Sequence, residues 1–241
     1  FFQGFHPHLL NGVAKGRALF MEMLSGDYSH LDDAANAAFL RVLDRQPVSH
    51  RETEALEAAV KDGPLAIVED DAPPEPCNHP RPTRDEVADW PRTPSYWHAW
   101  RGLRRRRGLA RRVGPDASPF FVLWGIQNAR AAALRKKRDV RPEVRRRICA
   151  AYAYGDRWAP TPEHPLGRAA SMAEHLGRHG HRPDLVIGVA WPFFQMRAWL
   201  QIGDTVISDP LDAVKGFTPI LAVADPYDGS SPIGASTLAD D

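Results

Sequence analysis

The 241-residue chain is 43% hydrophobic and 25% charged with a formal net charge of +1, apolar enough for a real core in one large domain or two modest ones. No run approaches the roughly 18 apolar residues of a membrane span and no signal-peptide pattern opens the chain, so a cytoplasmic location and no membrane partner are expected. Two cysteines, Cys77 and Cys149, give neither a disulfide framework nor metal-ligand spacing.

Residues 9–14 and 17–24 read as two strands around Lys15-Gly16, and Ser25-Gly26-Asp27 turns the chain into a third at 28–31. Asp32 or Asp33 caps a helix reaching Asp44, with Ala34, Ala38 and Val42 on one side and Phe39 and Leu43 beside them. Ser49-His50-Arg51-Glu52 is a capping box. It opens a helix with Leu56, Ala59 and Val60 inward, stopped by Gly63-Pro64, after which residues 65–68 can add an edge strand. Three short strands followed by helices predict a small winged-helix-like module over residues 1–70. Residues 9–70 hold six basic residues against eleven acidic ones, and Glu52, Glu54 and Glu57 lie on the helix that would enter a groove. Both observations argue against a nucleic-acid partner.

Residues 71–94 are too dense in proline for a regular element and read as a linker. Cys77 and His79 lie within it without two further ligands, so no metal is assigned there. Residues 96–112, 120–138 and 142–154 read as three helices, with Phe120, Phe121, Val122, Leu123, Trp124 and Ile126 as core and arginines outside. Between Arg101 and Arg147 stand 16 Lys or Arg against Asp116, Asp139 and Glu143. Two readings stay open: solvated helix faces, or a surface for an acidic partner.

Residues 164–209 organise the rest. Ala169, Met172, Ala173 and Leu176 recur at helical spacing. LVIGVA at 185–190 is a β-branched run fit for a strand covered on both faces, and residues 196–202 and 205–209 flank Gly203-Asp204 as a tight hairpin. Helix, strand, strand, strand is the expected order. Residues 225–241, rich in Gly, Ser and Pro, read as a flexible tail.

Leu185 to Val189 (LVIGV), Pro192-Phe193, the hairpin ending at Ser208-Asp209, and GRALFMEMLSGDYSHLD near the start together resemble the lasso-peptide biosynthesis B proteins. In these a leader-recognition module is joined to a transglutaminase-like cysteine peptidase. The resemblance implies an α+β fold: a recognition module at 1–70, the linker at 71–94 and a transglutaminase-like, papain-related domain at 95–224. It implies that a leader peptide adds as a strand beside Tyr28, Ser29, His30 and Leu31, against a wall of Leu56, Ala59 and Val60. A core role for these apolar residues is the alternative reading.

The catalytic positions do not match. The family's nucleophile position falls on Pro165, its histidine position on Arg197, and only Asp209 keeps its expected identity. Proline has no nucleophile, and arginine stays protonated and cannot act as a general base. His164 beside the vacated position is a candidate acid-base partner for Asp209, and an Arg197–Asp209 ion pair is expected to fill the site. Ser171 lacks a nucleophile elbow, and Cys149 reads as a small buried hydrophobe. His175, His179 and His181 read as a solvated helix end, with no metal and no cofactor assigned.

The expected function is binding of a ribosomal precursor peptide, with another maturation enzyme such as the macrocycle-forming synthetase as a further partner, by a pseudoenzyme that is not proteolytic. The alternative is an enzyme of the same pathway that reuses the pocket for a different reaction, or a leader peptidase by an unrecognised route.

Overall fold

The computed structural model describes residues 9–22, 27–62, 65, 77, 79–113, 122–123, 125–127, 130–131, 140–158 and 165–223. Lys15 and Gly16 both hold positive φ, 49° and 75°, as a two-residue hairpin turn requires when its twist must match the strands it joins. They connect β1 (Leu9–Ala14) to β2 (Arg17–Glu22), and β3 (Tyr28–His30) completes an antiparallel sheet in the order β1-β2-β3.

Asp32 starts α1 (Asp33–Leu43) by accepting a hydrogen bond from Ala35 N at 2.8 Å. The capping box opens α2 (His50–Asp62) as expected: Ser49 N donates to Glu52 Oε2 at 2.7 Å and Glu52 N donates to Ser49 Oγ at 3.4 Å. Alternation along β2 gives this strand two partners. Ala18 and Phe20 join Leu31, Ala35, Ala38, Phe39 and Leu56 in one core, while Leu19 and Met21 face the larger core of the remaining chain.

That larger unit is built on a five-stranded sheet in the order β4-β7-β6-β5-β8, with β4 at Arg84–Asp85, β5 at Asp184–Ala190, β6 at Gln195–Ile202, β7 at Thr205–Val206 and β8 at Thr218–Val223. Helices α3 (Tyr96–Val113), α4 (Pro142–Trp158) and α5 (Pro165–Gly177) pack together on one face. Their core includes Ile148, Tyr152, Leu166, Met172 and Leu176 against Leu185, Ile187, Leu200 and Ile220. Val186, Trp199, Val206 and Val214 form a smaller cluster. β5 is buried at each of its five central positions, as its β-branched sequence predicts. The chain is mixed α+β. No helix among the described residues is long and apolar enough to cross a membrane.

The two sheets meet at β1 and β8, where Gly12 lies so close to Ile220 that an added Cβ would stand 2.5 Å from Ile220 Cγ2. Nearby, the Tyr28 ring lies tilted against Phe194 with centroids 4.9 Å apart, and the Arg17 guanidinium sits 5.4 Å over Trp191.

Two expectations are corrected. Residues 79–94 are not without regular structure: β4 pairs in parallel with β7, and a 3-10 turn follows at Val87–Asp89. Proline density misled because the segment needs only two ladder positions, Arg84 and Asp85, neither a proline. Side chains then fix it: Arg145 of α4 grips Glu86 through two hydrogen bonds, and Asp85 Oδ2 accepts from Leu211 N at 2.6 Å. Nor do all the arginines of 101–147 line the outside. Arg106 and Arg130 are buried, the first paired with Asp156 and the second with Asp184 at 3.0 Å and the Pro183 carbonyl. Charge periodicity locates a polar helix face but not the acid from another element that neutralises it.

Of the predicted middle helix, residues 122–123, 125–127 and 130–131 are helical, with Val122, Leu123 and Ile126 buried. Phe120, Phe121 and Trp124 lie outside the described residues, as do the edge strand beyond Leu65, most of residues 66–78 and the tail from 224 onward.

Candidate functional site

The site forms where the start of α5, strand β6 and the end of the β6–β7 hairpin converge. Proline is tolerated at the first helical position because its missing N–H would have no intrahelical partner, and α5 opens on Pro165. His164 and the side chain of Pro165 lie outside the described residues. Three residues on, within the first turn, stands Arg168. Gly203, at φ 59°, closes the hairpin and returns the chain beside β6. There Ile207 N donates to Leu200 O at 2.9 Å and Leu200 N donates to Ser208 Oγ at 2.8 Å. This pairing fixes Asp209 beside Arg197, itself held opposite Gly188 of β5 by the strand register.

Asp209 is buried and bonded on both oxygens. Arg197 Nη2 donates to Oδ1 at 3.1 Å, while Arg168 Nη1 and Ser208 Oγ donate to Oδ2 at 3.2 and 2.6 Å. The expected Arg197–Asp209 pair is present in the structure. Arg168 extends the network, donating to the Ser208 carbonyl at 3.2 Å and through Nε to Asp156 at 2.7 Å, where Arg106 also pairs. The result is a chain of alternating charge, Arg106–Asp156–Arg168–Asp209–Arg197, across α3, α4, α5, the hairpin end and β6. Burial alone would lower the pKa of Arg168, but Asp209 and Asp156 outweigh it and hold the guanidinium above its ordinary value.

Chemically this arrangement binds charge and positions side chains. Among the described residues around Asp209, no thiol or imidazole touches the carboxylate, and a guanidinium is no general base. Neither of two other nucleophile candidates fits. Ser171 is fully buried with its hydroxyl donating to the Arg168 carbonyl at 3.0 Å. Cys149 is buried, with its thiol pushed up to about 12 chiefly by burial, as the reading of a small hydrophobe implies.

Arg168, Asp156 and Arg106 were not picked out from the sequence. The available signal was an arginine in the first turn of α5, where the helix dipole disfavours a cation, in a stretch, 165–173, whose only other polar side chain is Ser171. Such a residue calls for a carboxylate partner.

The residues assigned to peptide binding separate into two groups. Leu31 and Leu56 are core of the first unit, packed with Phe20 and Phe39, so for these two the core reading holds. Tyr28 is half-buried, its hydroxyl against Met196 Sδ, while Ser29 and His30 are exposed and Ala59 and Val60 are half-buried. The His30 ring lies 5.5 Å from Trp191. β3 is an edge strand of its sheet.

The histidine-rich end of α5 also differs from expectation. His175 and His181 are buried rather than solvated. His79 likewise finds a partner, Asp184 at 3.2 Å. The ring that completes a cluster with His175 and His179 is not His181 but His98 of α3, 77 positions before His175 in the chain. Helix–helix packing alone brings it there.

No curated protein and no solved structure matches the chain. A family model described as Transglutaminase-like superfamily matches residues 94–222, more than half the chain. The matched span takes in α3, α4, α5, the β5–β6–β7 run and Asp209. By that match the chain belongs to the transglutaminase-like superfamily.

Proposed function

We propose that this protein is a peptide-recognition component of ribosomal-peptide maturation of the lasso-peptide type, with a transglutaminase-like domain that no longer cleaves. The observation that carries this reading is the Asp209 carboxylate held between Arg168 and Arg197. In a cysteine peptidase such a carboxylate orients an imidazole, which shuttles the proton of a thiol. Here its two oxygens are taken by guanidiniums, and the thiol position is a proline. The polar apparatus serves the fold.

The surface around β3 supports a peptide ligand. β3 offers an unoccupied ladder edge among the described residues, and Ser29 and His30 on it are exposed. A peptide added there would run beside Trp191, Phe193 and Phe194 of the β5–β6 turn, where Phe193 is 82% exposed. Backbone pairing with apolar anchors is how such edges hold extended peptides. The same turn leads into β6 and Arg197, which connects the proposed recognition edge to Asp209.

The test is incubation of the protein with the precursor peptide encoded beside its gene, alone and with the other maturation proteins, followed by affinity measurement and mass spectrometry. Retention of the peptide at unchanged mass, weakened by a His30→Pro substitution that removes an N–H on the open side of β3, is the expected result. A mass change that disappears in Asp209→Ala would instead show a repurposed enzyme.

A further inference from the structure

We propose that His98, His175 and His179 form a binding site for a transition-metal ion of the zinc class, clamping α3 to α5. His175 lies in the last turn of α5 and His179 in the turn just beyond its end, with their ring centroids 5.7 Å apart. His98 approaches from α3, with ring centroids 5.4 Å from His175 and 5.9 Å from His179. One ligand nitrogen from each residue lies within 4.8 Å of the other two. A tetrahedral ion with bonds of about 2.1 Å needs nitrogens roughly 3.4 Å apart, a distance that small side-chain rotations supply.

The independent observation is His175 itself. It is 1% exposed, and neither ring nitrogen has a hydrogen-bond partner. His98 Nδ1 is also buried without one. Buried imidazoles almost always satisfy at least one nitrogen, and a site where two point lone pairs or N–H groups at one another calls for a group that accepts them all.

Three imidazoles suit zinc, copper, nickel or cobalt rather than magnesium or calcium, and leave a fourth position open. Arg101, Arg105 and Arg147 contribute positive charge around these rings. That field weakens a bare dication and favours an anionic fourth ligand, such as hydroxide or a carboxylate. The clamp joins α3 to the far end of the helix whose first turn carries Arg168, so it fixes α5 at its C-terminal end as the ion pairs fix it at the start.

The experiment uses the full chain without an affinity tag, stripped with a chelator and titrated with Co2+ and then Zn2+. One equivalent of Co2+ should bind with the visible absorption of a low-symmetry nitrogen site, be displaced by Zn2+, and raise the melting temperature. His98→Ala and His179→Ala, at half-buried positions that tolerate truncation better than His175, should each abolish the absorption band. His50→Ala, on exposed α2, should leave it intact. No Co2+ band in the wild type, or one that survives in both His98→Ala and His179→Ala, would overturn the proposal.

Discussion

Arg168 and Arg197 grip opposite oxygens of the same carboxylate, Asp209, at 3.2 and 3.1 Å. One guanidinium comes from the first turn of α5 and the other from the middle of β6, so the aspartate ties a helix to a sheet. The two contacts differ in worth. Arg168 is half-buried, its side chain 20% exposed, and shares Asp156, whereas the Arg197 side chain is 40% exposed.

Removing Asp209 therefore leaves a half-buried guanidinium with one partner fewer. Asp209→Ala should destabilise the protein by about 3 kcal/mol, the range for breaking a buried pair. Arg197→Ala should cost no more than about 1 kcal/mol, since solvent screens its side of the contact. Urea unfolding followed by tryptophan fluorescence separates the two. Equal losses would mean that Arg197 carries more of the network than its exposure allows.

Pro165, which the proposed reading takes as the nucleophile position, opens a helix, where the dipole favours a thiolate. Pro165→Cys combined with Arg197→His should create a thiol that reacts with iodoacetamide at neutral pH at least about 10-fold faster than buried Cys149. Mass-spectrometric mapping of the alkylated peptide reads this directly. Equal or slower alkylation at 165 would show that the position is closed to reagent.

Gly188 is required by a close approach. A Cβ there would stand 2.6 Å from the Trp199 ring and 3.1 Å from Phe217 Cβ, and Trp199 is fully buried with its Nε1 donating to Gln201 at 2.9 Å. Gly188→Ala should cost about 3 kcal/mol by overpacking and shift the tryptophan emission. A stability within about 0.5 kcal/mol of wild type would mean that the ring moves freely aside.

The capping box gives a pH dependence. The Ser49 backbone N–H, then its hydroxyl, hold the Glu52 carboxyl below its usual range, with Arg41 adding to the effect. A depressed folded pKa means stability present above the unfolded carboxylate pKa and lost as pH falls through the folded one. α2 should fray in acid, seen as faster amide exchange over its first turn. Glu52→Gln should flatten that acid dependence, and an unchanged profile would assign the fraying to other groups.

Much of the order of elements could be read along the chain, because each signal is local. The Lys15-Gly16 turn, the Asp32 cap, the Ser49–Glu52 box, the β-branched run of β5 and the Gly203 turn each act within a few residues. The pairing of Arg197 with Asp209 followed from two positions joined by one short hairpin. Arg168 was harder, because its partner Asp156 lies on another helix and nothing in the spacing of 156 and 168 marks them as neighbours.

The sequence by itself determined most of the elements, the α+β class and the absence of a thiol at 165 and an imidazole at 197, since these depend on residue type and near-neighbour geometry. Tertiary structure alone decided which side chains meet across elements. It brought His98 to His175, buried Arg106 and Arg130 beside acids, drew Arg84 and Asp85 into the sheet, and divided β2 between two cores. The physical reason is range: caps and turns are set by bonds a few residues long, whereas burial and charge pairing depend on where distant segments pack.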